Sequence, residues 1–598
     1  MQIVAIFQKL DRLKYLSARQ GTRRLLRYLY QRAISNVKSR RDYQKWIKQN
    51  CLTNEDIAAA RVEIETWQLR PKFSVIMPVY NVEAKWLKKA IDSVRKQIYP
   101  NWELCIADDA SSKPHIREIL THYTQIDERI KVTFRIENGQ ISAASNSALE
   151  LTTGDYIALL DHDDELTIDA LFENAKLINQ HPDADFIYSD EDKIDARGNR
   201  FNPVFKPDWS PEYFYSTMYT CHLGVVRTSL IREIGGFRSE YDGSQDYDLI
   251  LRIVEKTNNI YHIPKILYHW RNITVSAASG SLAKPWAFAA GKKALEAMLE
   301  RSLYQGRVKE TANPGIYRVR RDIIGHPLVS IIISSTGKII DTPSGSRCLL
   351  ENCIDSIEQL SSYRNYEIIV VDGCELPESA LETISSANSS LVRCTDELFN
   401  FSIGINQGAA KAKGEFLLLL NDDTEIITPD WLESMLELAQ QKEIGAVGAK
   451  LLSPDGYIRH TGIILLEGNP CYAFYGFDSA HSGYHCSNIV NRNYLAVTGA
   501  CLMMRRELFQ QLGGMDENFP LDYNDVDLCL AAHQAGYRNV VTPYAQLICY
   551  TSTSSKNRLK TGELEQLKTK WKHYLNGLTR DPYYNPNLSK RVSNFEMF

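Results

Sequence analysis

Short apolar runs, four or five residues long, recur along this chain, separated by stretches in which apolar residues fall three and four positions apart. Ser74-Val75-Ile76-Met77, Glu103-Leu104-Cys105-Ile106 and Tyr156 to Leu160 read as buried strands. Between the first two, Trp86, Leu87, Ala90, Ile91 and Val94 trace one helical stripe. Strands alternating with helices predict an α/β domain on a mostly parallel sheet with helices on both faces. Ligands of such sheets bind beyond the carboxyl ends of the strands, where Asp108, Asp109, Asp161 and Asp163 all fall.

The same phrases then return in the same order. "FSVIMPVYN" (73–81) is echoed by "LVSIIISSTG" (328–337), and "TTGDYIALLDHDDEL" (152–166) by "AKGEFLLLLNDDTEI" (412–426). "REIGGF" (232–237) is echoed by "QQLGGM" (510–515), and "SQDYDLILR" (244–252) by "YNDVDLCLA" (523–531). A repeat this long indicates tandem domains and excludes a solenoid. The pattern divides the chain into an N-terminal region, 1–70, a first domain, 71–310, and a linker, 311–327, rich in Pro and Gly. A second domain, 328–575, and a tail, 576–598, follow.

Each first-copy strand end carries more acid than a turn needs. Tyr156 to Leu160 runs into Asp161, Asp163, Asp164 and Glu165, which repel one another unless something cationic binds. Paired carboxylates suit Mg²⁺ or Mn²⁺ with positions left open for substrate phosphates, while a cap for the helix beginning in "ELTIDALFENA" is the plainer alternative. Asp246 and Asp248 open a helix at the spacing of a cap and a first-turn acid. If the crevice holds an activated sugar, a base must remove a proton from the acceptor hydroxyl, and Asp246 is the candidate. Asp190, Glu191 and Asp192 in "YSDEDKID" either line the acceptor side or sit as solvated acids on a hairpin.

Composition narrows the class. Over 598 residues, 44% apolar and 24% charged describe an ordinary globular protein of several domains. The net charge of −4 conceals a basic arm, because the first fifty residues hold Asp11 and Asp42 as their only acids among many Lys and Arg. There Leu26, Leu29, Tyr30, Ala33 and Val37 follow helical spacing, which suits contact with an anionic membrane surface or docking on the first domain. No nucleic-acid module accompanies the basic run. The 12 cysteines form no CxxC pair or zinc-spaced cluster and read as reduced core residues. No apolar run reaches membrane-spanning length, and "MQIVAIF" is too short for a signal peptide, so a cytoplasmic protein, peripheral on the inner face of the plasma membrane, is expected.

Taken together, "SVIMPVYN", "ADDAS", "ALLDHDDEL", "YSDEDKID", "FKPDWSPEYF", "GSQDYDLILR" and "HIPKILYHWR" resemble the family-two inverting glycosyltransferases of the GT-A fold. "LLLLNDDTEI", "PDWLESM", "GAVGAKLLSPDG" and "YNDVDLCL" are similar to the tandem partner in bacterial surface-polysaccharide and O-antigen enzymes. The resemblance implies two Rossmann-like GT-A domains and a nucleotide-sugar donor with Mg²⁺ or Mn²⁺. A glycan or lipid-linked oligosaccharide is the implied acceptor. It places Pro78, Tyr80, Asp108 and Asp109 around the nucleoside, and Asp161 and Asp163 on the metal and diphosphate. Asp246 becomes the base of a single displacement that inverts the anomeric centre. His269 is implied as a further metal contact, a structural histidine being the alternative.

In the second copy Asp372 and Asn421 would take the donor, Asp423 the metal, and Asp525 the proton. That copy departs from the pattern. Gly373 stands where the first copy has Asp109, and Cys549, Tyr550 and Thr551 stand where relatives carry His-His-Glu. A second active transferase and a degenerate glycan-binding domain both remain open. Two classes compete for the whole chain: a glycan-binding scaffold, which would not turn over a donor, and a glycoside hydrolase, which needs two carboxylates and no metal.

Overall fold

A computed structural model of the chain describes residues 40–272, 285–342, 345–373, 376–386, 389–393, 400–550 and 562–597. The basic stretch with helical spacing at 26–37 lies outside the described residues. Two compact units divide the chain: Met1–Lys206 with Thr220–Met298 and Glu596–Phe598, and Pro207–Tyr219 with Leu299–Phe595.

The first unit is built on nine strands: β1 (Phe73–Val79), β2 (Trp102–Asp108), β3 (Ile130–Phe134), β4 (Tyr156–Leu159), β5 (Glu165–Leu166), β6 (Phe186–Ile194), β7 (Arg200–Val204), β8 (Gly224–Arg227) and β9 (Ile260–Arg271). They lie in the order β3-β2-β1-β4-β8-β6-β9-β5, with β7 beside β6. β3, β2, β1 and β4 run parallel, and β8 is inserted antiparallel between β4 and β6. The order reverses at β1, which opens a crevice above β1 and β4 at their carboxyl ends. β2 is buried along its whole length, as the near-continuous apolar run requires of a strand covered on both faces. The predicted stripe forms the helix Ala84–Arg95, which buries Trp86, Leu87, Ala90, Ile91 and Val94 against the sheet.

The second unit repeats this plan. Its eight main strands, starting in spatial order at Ser389, Tyr366, Val329, Phe416, Cys501, Ile444, Arg538 and Thr424, match the first sheet position for position. Even the fastening at the amino end of the sheet is duplicated. Ser74 Oγ donates to Glu103 (2.6 Å) and accepts from Gly154 N–H (2.9 Å), while Ser330 Oγ donates to Glu367 (2.6 Å) and accepts from Gly414 N–H (2.8 Å). A Cβ at Gly154 would lie 2.6 Å from the Lys72 carbonyl, and one at Gly414 2.6 Å from that of Leu328. Glycine is needed at both positions because the backbone passes there without room for a side chain.

Two stretches differ from the sequence pattern. Residues 311–327, expected as a linker, supply the strand Tyr317–Arg321, which pairs antiparallel with Gly306–Glu310. Pro314 and Gly315 sit in the turn between them. The segment carrying "PDWSPEYF" belongs to the second unit, where buried Glu212 pairs with Arg538 (3.0 Å).

Candidate active site

The crevice of the first unit is assembled from the ends of β1, β2, β4 and β9 and the approach to β8. After β4, Asp161 to Asp164 form a turn closed by the Asp164 N–H donating to the Asp161 carbonyl (3.2 Å). His162 turns away and donates from Nδ1 to the carbonyl of Pro78 on β1 (3.0 Å). Asp164 is buried, accepting from Tyr268 Oη (2.6 Å) and the Arg271 N–H (2.6 Å), both on β9. Arg271 itself is fully buried; it donates to the Asp163 carbonyl (2.7 Å), pairs with Glu165 and lies over the Trp86 ring.

His222 reaches the same place from the residues just before β8. Its ring stacks on Tyr268 with centroids 4.5 Å apart, its N–H donates to Glu191 (2.9 Å), and its carbonyl accepts from buried Lys206 (2.6 Å). One ligand atom from each of Asp161, Asp164 and His222 lies within 4.8 Å of the others. Burial, reinforced by the charges of Asp163 and Asp161, pushes the Asp164 carboxyl well above its ordinary range. Burial raises Asp163 as well, with Asp161 adding to it against an opposing pull from His162. Both shifts arise first from burial and then from the crowding of the neighbouring acids. Two carboxylates and an imidazole at these separations fit a divalent cation, and the mixed oxygen and nitrogen set suits Mn²⁺ at least as well as Mg²⁺.

Asp246 opens the helix Gln245–Val254 beside this cluster, accepting through Oδ1 from the Tyr247 N–H (2.8 Å). Its carboxyl is raised by burial and by the charge of Asp161, with His222 pulling the other way. Asp248, two residues on, is wholly buried between Arg238 and Arg252 and holds the helix in place.

At the other side of the crevice, buried Asp108 ends β2 with Oδ1 lacking a hydrogen-bond partner, a deficit worth ~1–3 kcal/mol unless a ligand donates to it. Asp109 is committed to Arg135 (2.8 Å) and the Gly139 N–H (3.0 Å), so it shapes the loop. Tyr80 is half-exposed at the end of β1.

The structure gathers a different trio from the expected Asp161, Asp163 and His269. Asp164 and His222 join Asp161, while His269 gives Nδ1 to Asp192 (2.5 Å) and is held by it. Asp190, Glu191 and Asp192 of "YSDEDKID" are buried and paired. Asp190 accepts from His262 (2.9 Å), Glu191 from Lys206 (3.1 Å), and Asp192 from Arg200 (2.5 Å) as well as His269. Burial alone would raise Asp192, but His269 and Arg200 outweigh it and hold the carboxyl low. His222 was invisible to sequence reasoning because "TCHLGVV" carries no acid or repeat; only the pairing of β8 with β4 brings it to the turn.

The corresponding crevice of the second unit is furnished differently. Strand register sets Leu159 against Leu419, so Asp161 corresponds to Asn421, and the short strands that follow set Asp164 against Thr424. The antiparallel strand sets Val225 against Met503, so His222 corresponds to Ala500. Asp423 accepts from the Cys549 thiol (3.4 Å), and Asp422 accepts from Ser335 (2.7 Å). Burial and the neighbouring Asp423 charge raise Asp422 to about 6. Asp525 accepts backbone N–H groups on both carboxylate oxygens, from Gly499 (2.9 Å) and Val526 (2.8 Å). Asp372 lies 4.0 Å from Arg393.

A sheet of this order, repeated with its crevice in both halves, is the GT-A architecture of glycosyltransferases. The chain belongs to glycosyl transferase family 2, whose pattern matches residues 74–235 and 345–513. It is 41% identical to the uncharacterized protein y4gI of Sinorhizobium fredii, over 88% of this chain and 58% of that one. It is 35% identical to the O-antigen biosynthesis protein RfbC of Myxococcus xanthus, over 92% of this chain and 42% of that one. The chain therefore spans about half the length of these curated relatives. Among solved structures, S. aureus TarS 1–349 in complex with UDP-GlcNAc aligns with a TM-score of 0.33 at 20% identity, over 39% of this chain and 68% of that one.

Proposed function

We propose that the chain is an inverting glycosyltransferase that moves a sugar from a nucleotide-sugar donor to a growing surface polysaccharide, with a lipid-linked oligosaccharide as acceptor and the first unit as its catalytic centre. The observation that carries this reading is the meeting of Asp161, Asp164 and His222 beside Asp246 at the carboxyl edge of the sheet. Similarity to an O-antigen biosynthesis protein over 92% of the chain supports the polysaccharide assignment. The basic charge of the first fifty residues supports contact with an anionic membrane surface, where a lipid-linked acceptor would reside.

Asp161, Asp164 and His222 would hold the cation. Mg²⁺ or Mn²⁺ supplies Lewis-acid neutralisation of the departing diphosphate, worth several kcal/mol. Asp108 presents its unpaired oxygen to a donor N–H of the nucleobase. Arg271, by holding the Asp163 carbonyl and Glu165, fixes the turn so that Asp161 and Asp164 keep their separation. Asp246 takes the proton of the acceptor hydroxyl as that oxygen attacks the anomeric carbon; its raised carboxyl makes it a stronger base than an exposed aspartate. One displacement on the face opposite the leaving group inverts configuration.

The test is release of nucleoside diphosphate from a panel of nucleotide sugars with Mg²⁺ or Mn²⁺ and a lipid-linked acceptor, in wild type, His222→Ala and Asp246→Asn. Turnover abolished by chelator and by the His222 and Asp246 changes supports the reading. Turnover indifferent to chelator, or none with any donor, sinks it.

A further inference from the structure

We infer that the second unit works without a divalent cation, so that this chain carries a cation-dependent crevice only in its first unit. The inference builds on the cation role proposed above for Asp161, Asp164 and His222, and it concerns a crevice to which that proposal assigns nothing.

The two sheets share one strand order, so equivalent positions are counted from the nearest paired residue of each strand. At each of the three positions that supply a ligand atom in the first unit, the second has removed it or made it a poor one. Asn421 replaces the Asp161 carboxylate with a neutral amide, Thr424 replaces Asp164 with a hydroxyl, and Ala500 replaces His222 with a methyl group. Thr424 is spent within the protein, donating from Oγ1 to the Asn421 carbonyl (2.8 Å), with the Cys353 sulfur at 3.6 Å. Hard divalent ions select anionic oxygen, so exchanging two carboxylates for an amide and a hydroxyl removes the charge that pays their dehydration.

The acids that remain do not replace the lost ligands at those three positions: Asp422 Oδ2 takes the Ser335 hydroxyl, Asp423 Oδ2 the Cys549 thiol, and Asp525 two backbone N–H groups. Among the described residues, no second group of three His, Cys, Asp or Glu side chains converges as Asp161, Asp164 and His222 do.

The support around the turn has changed in step. In the first unit the residue facing Glu165 is the buried cation Arg271, and in the second Tyr550 takes that place and hydrogen-bonds Glu425 through its hydroxyl. The retained acid at the helix start, Asp525, has neither oxygen free of a backbone donor, unlike Asp246, whose Oδ1 alone accepts from a neighbouring N–H. A saccharide or nucleotide held in this crevice is therefore bound by hydrogen bonds and side-chain charge alone.

Mn²⁺ binding by the full chain tests this without reference to turnover. Free Mn²⁺ is followed by electron paramagnetic resonance, with the metal alone and with UDP or GDP added, in wild type, in Asp161→Asn/His222→Ala and in Asp423→Ala. Circular dichroism confirms that each variant is folded. The expected result is one equivalent per chain in wild type and in Asp423→Ala, and none in the double variant. Two equivalents in wild type overturn the inference, as does one equivalent surviving in the double variant. Binding in none of the proteins would uphold a cation-free second unit while removing the cation role proposed for the first, so the two ideas fail separately.

Discussion

The two crevices of this chain stand on the same eight-strand order and the same Ser-Glu-Gly fastening, yet they place different side chains at equivalent positions. In the first, one ligand atom from each of two carboxyl groups and an imidazole lies within 4.8 Å of the others. In the second, hydroxyl, amide and methyl groups occupy the equivalent positions and the surviving acids have internal partners. A duplicated backbone preserves what the sheet needs for stability and leaves the strand ends free to diverge, because the chemistry is borne by side chains that the core does not require.

The comparison can be broken most directly at the acids that open the two equivalent helices. Asp246→Asn is expected to lower kcat by about 10²–10⁴, the usual contribution of a general base, in a steady-state assay of nucleoside diphosphate release. A loss of that size in Asp525→Asn would show that the second crevice also transfers. The pairs that hold the two turns should differ next. Arg271→Ala leaves Glu165 and the Asp163 carbonyl without their buried cation, an effect of about 3–5 kcal/mol on unfolding in urea. Tyr550→Phe removes one hydrogen bond to Glu425 and is expected to cost about 1 kcal/mol. Equal losses would mean that the two turns carry the same electrostatic load.

Where the units are alike, the effects should be alike. Gly154→Ala and Gly414→Ala each force a Cβ to within 2.6 Å of a carbonyl oxygen, and each is expected to destabilise its own unit by about 1–3 kcal/mol in thermal melts. The smallest effect concerns pH. Asp422 titrates near 6 in the folded chain, above its ordinary value, so the folded state binds the extra proton. Its contribution to stability is fully present below the unfolded pKa of about 3.9 and is lost as pH rises through about 6. Asp422→Asn should flatten the dependence of the urea midpoint between about pH 4 and 6. An unchanged slope would place the Asp422 carboxyl in its ordinary range.

Much of this was written in local sequence. The apolar runs, the helical stripe of Ala84–Arg95 and the duplication follow from side-chain periodicity, which depends only on neighbours along the chain. The strand-end positions of Asp108, Asp161 and Asp246 were legible for the same reason, since each closes or opens an element whose pattern is visible. The buried pairing of Asp190, Glu191 and Asp192 was not legible, because their partners Lys206, His262, Arg200 and His269 come from separate elements.

Sequence by itself therefore determined the α/β alternation, the tandem copies and the acidic ends of the strands. Tertiary structure decided which acids act together. Inserting β8 antiparallel beside β4 carried His222 to Asp161 and Asp164, across some sixty residues of chain, and the same insertion in the second unit delivered Ala500. Strand pairing is a long-range choice fixed by the burial of whole strand faces, so no local pattern records which side chains it brings together at the sheet edge.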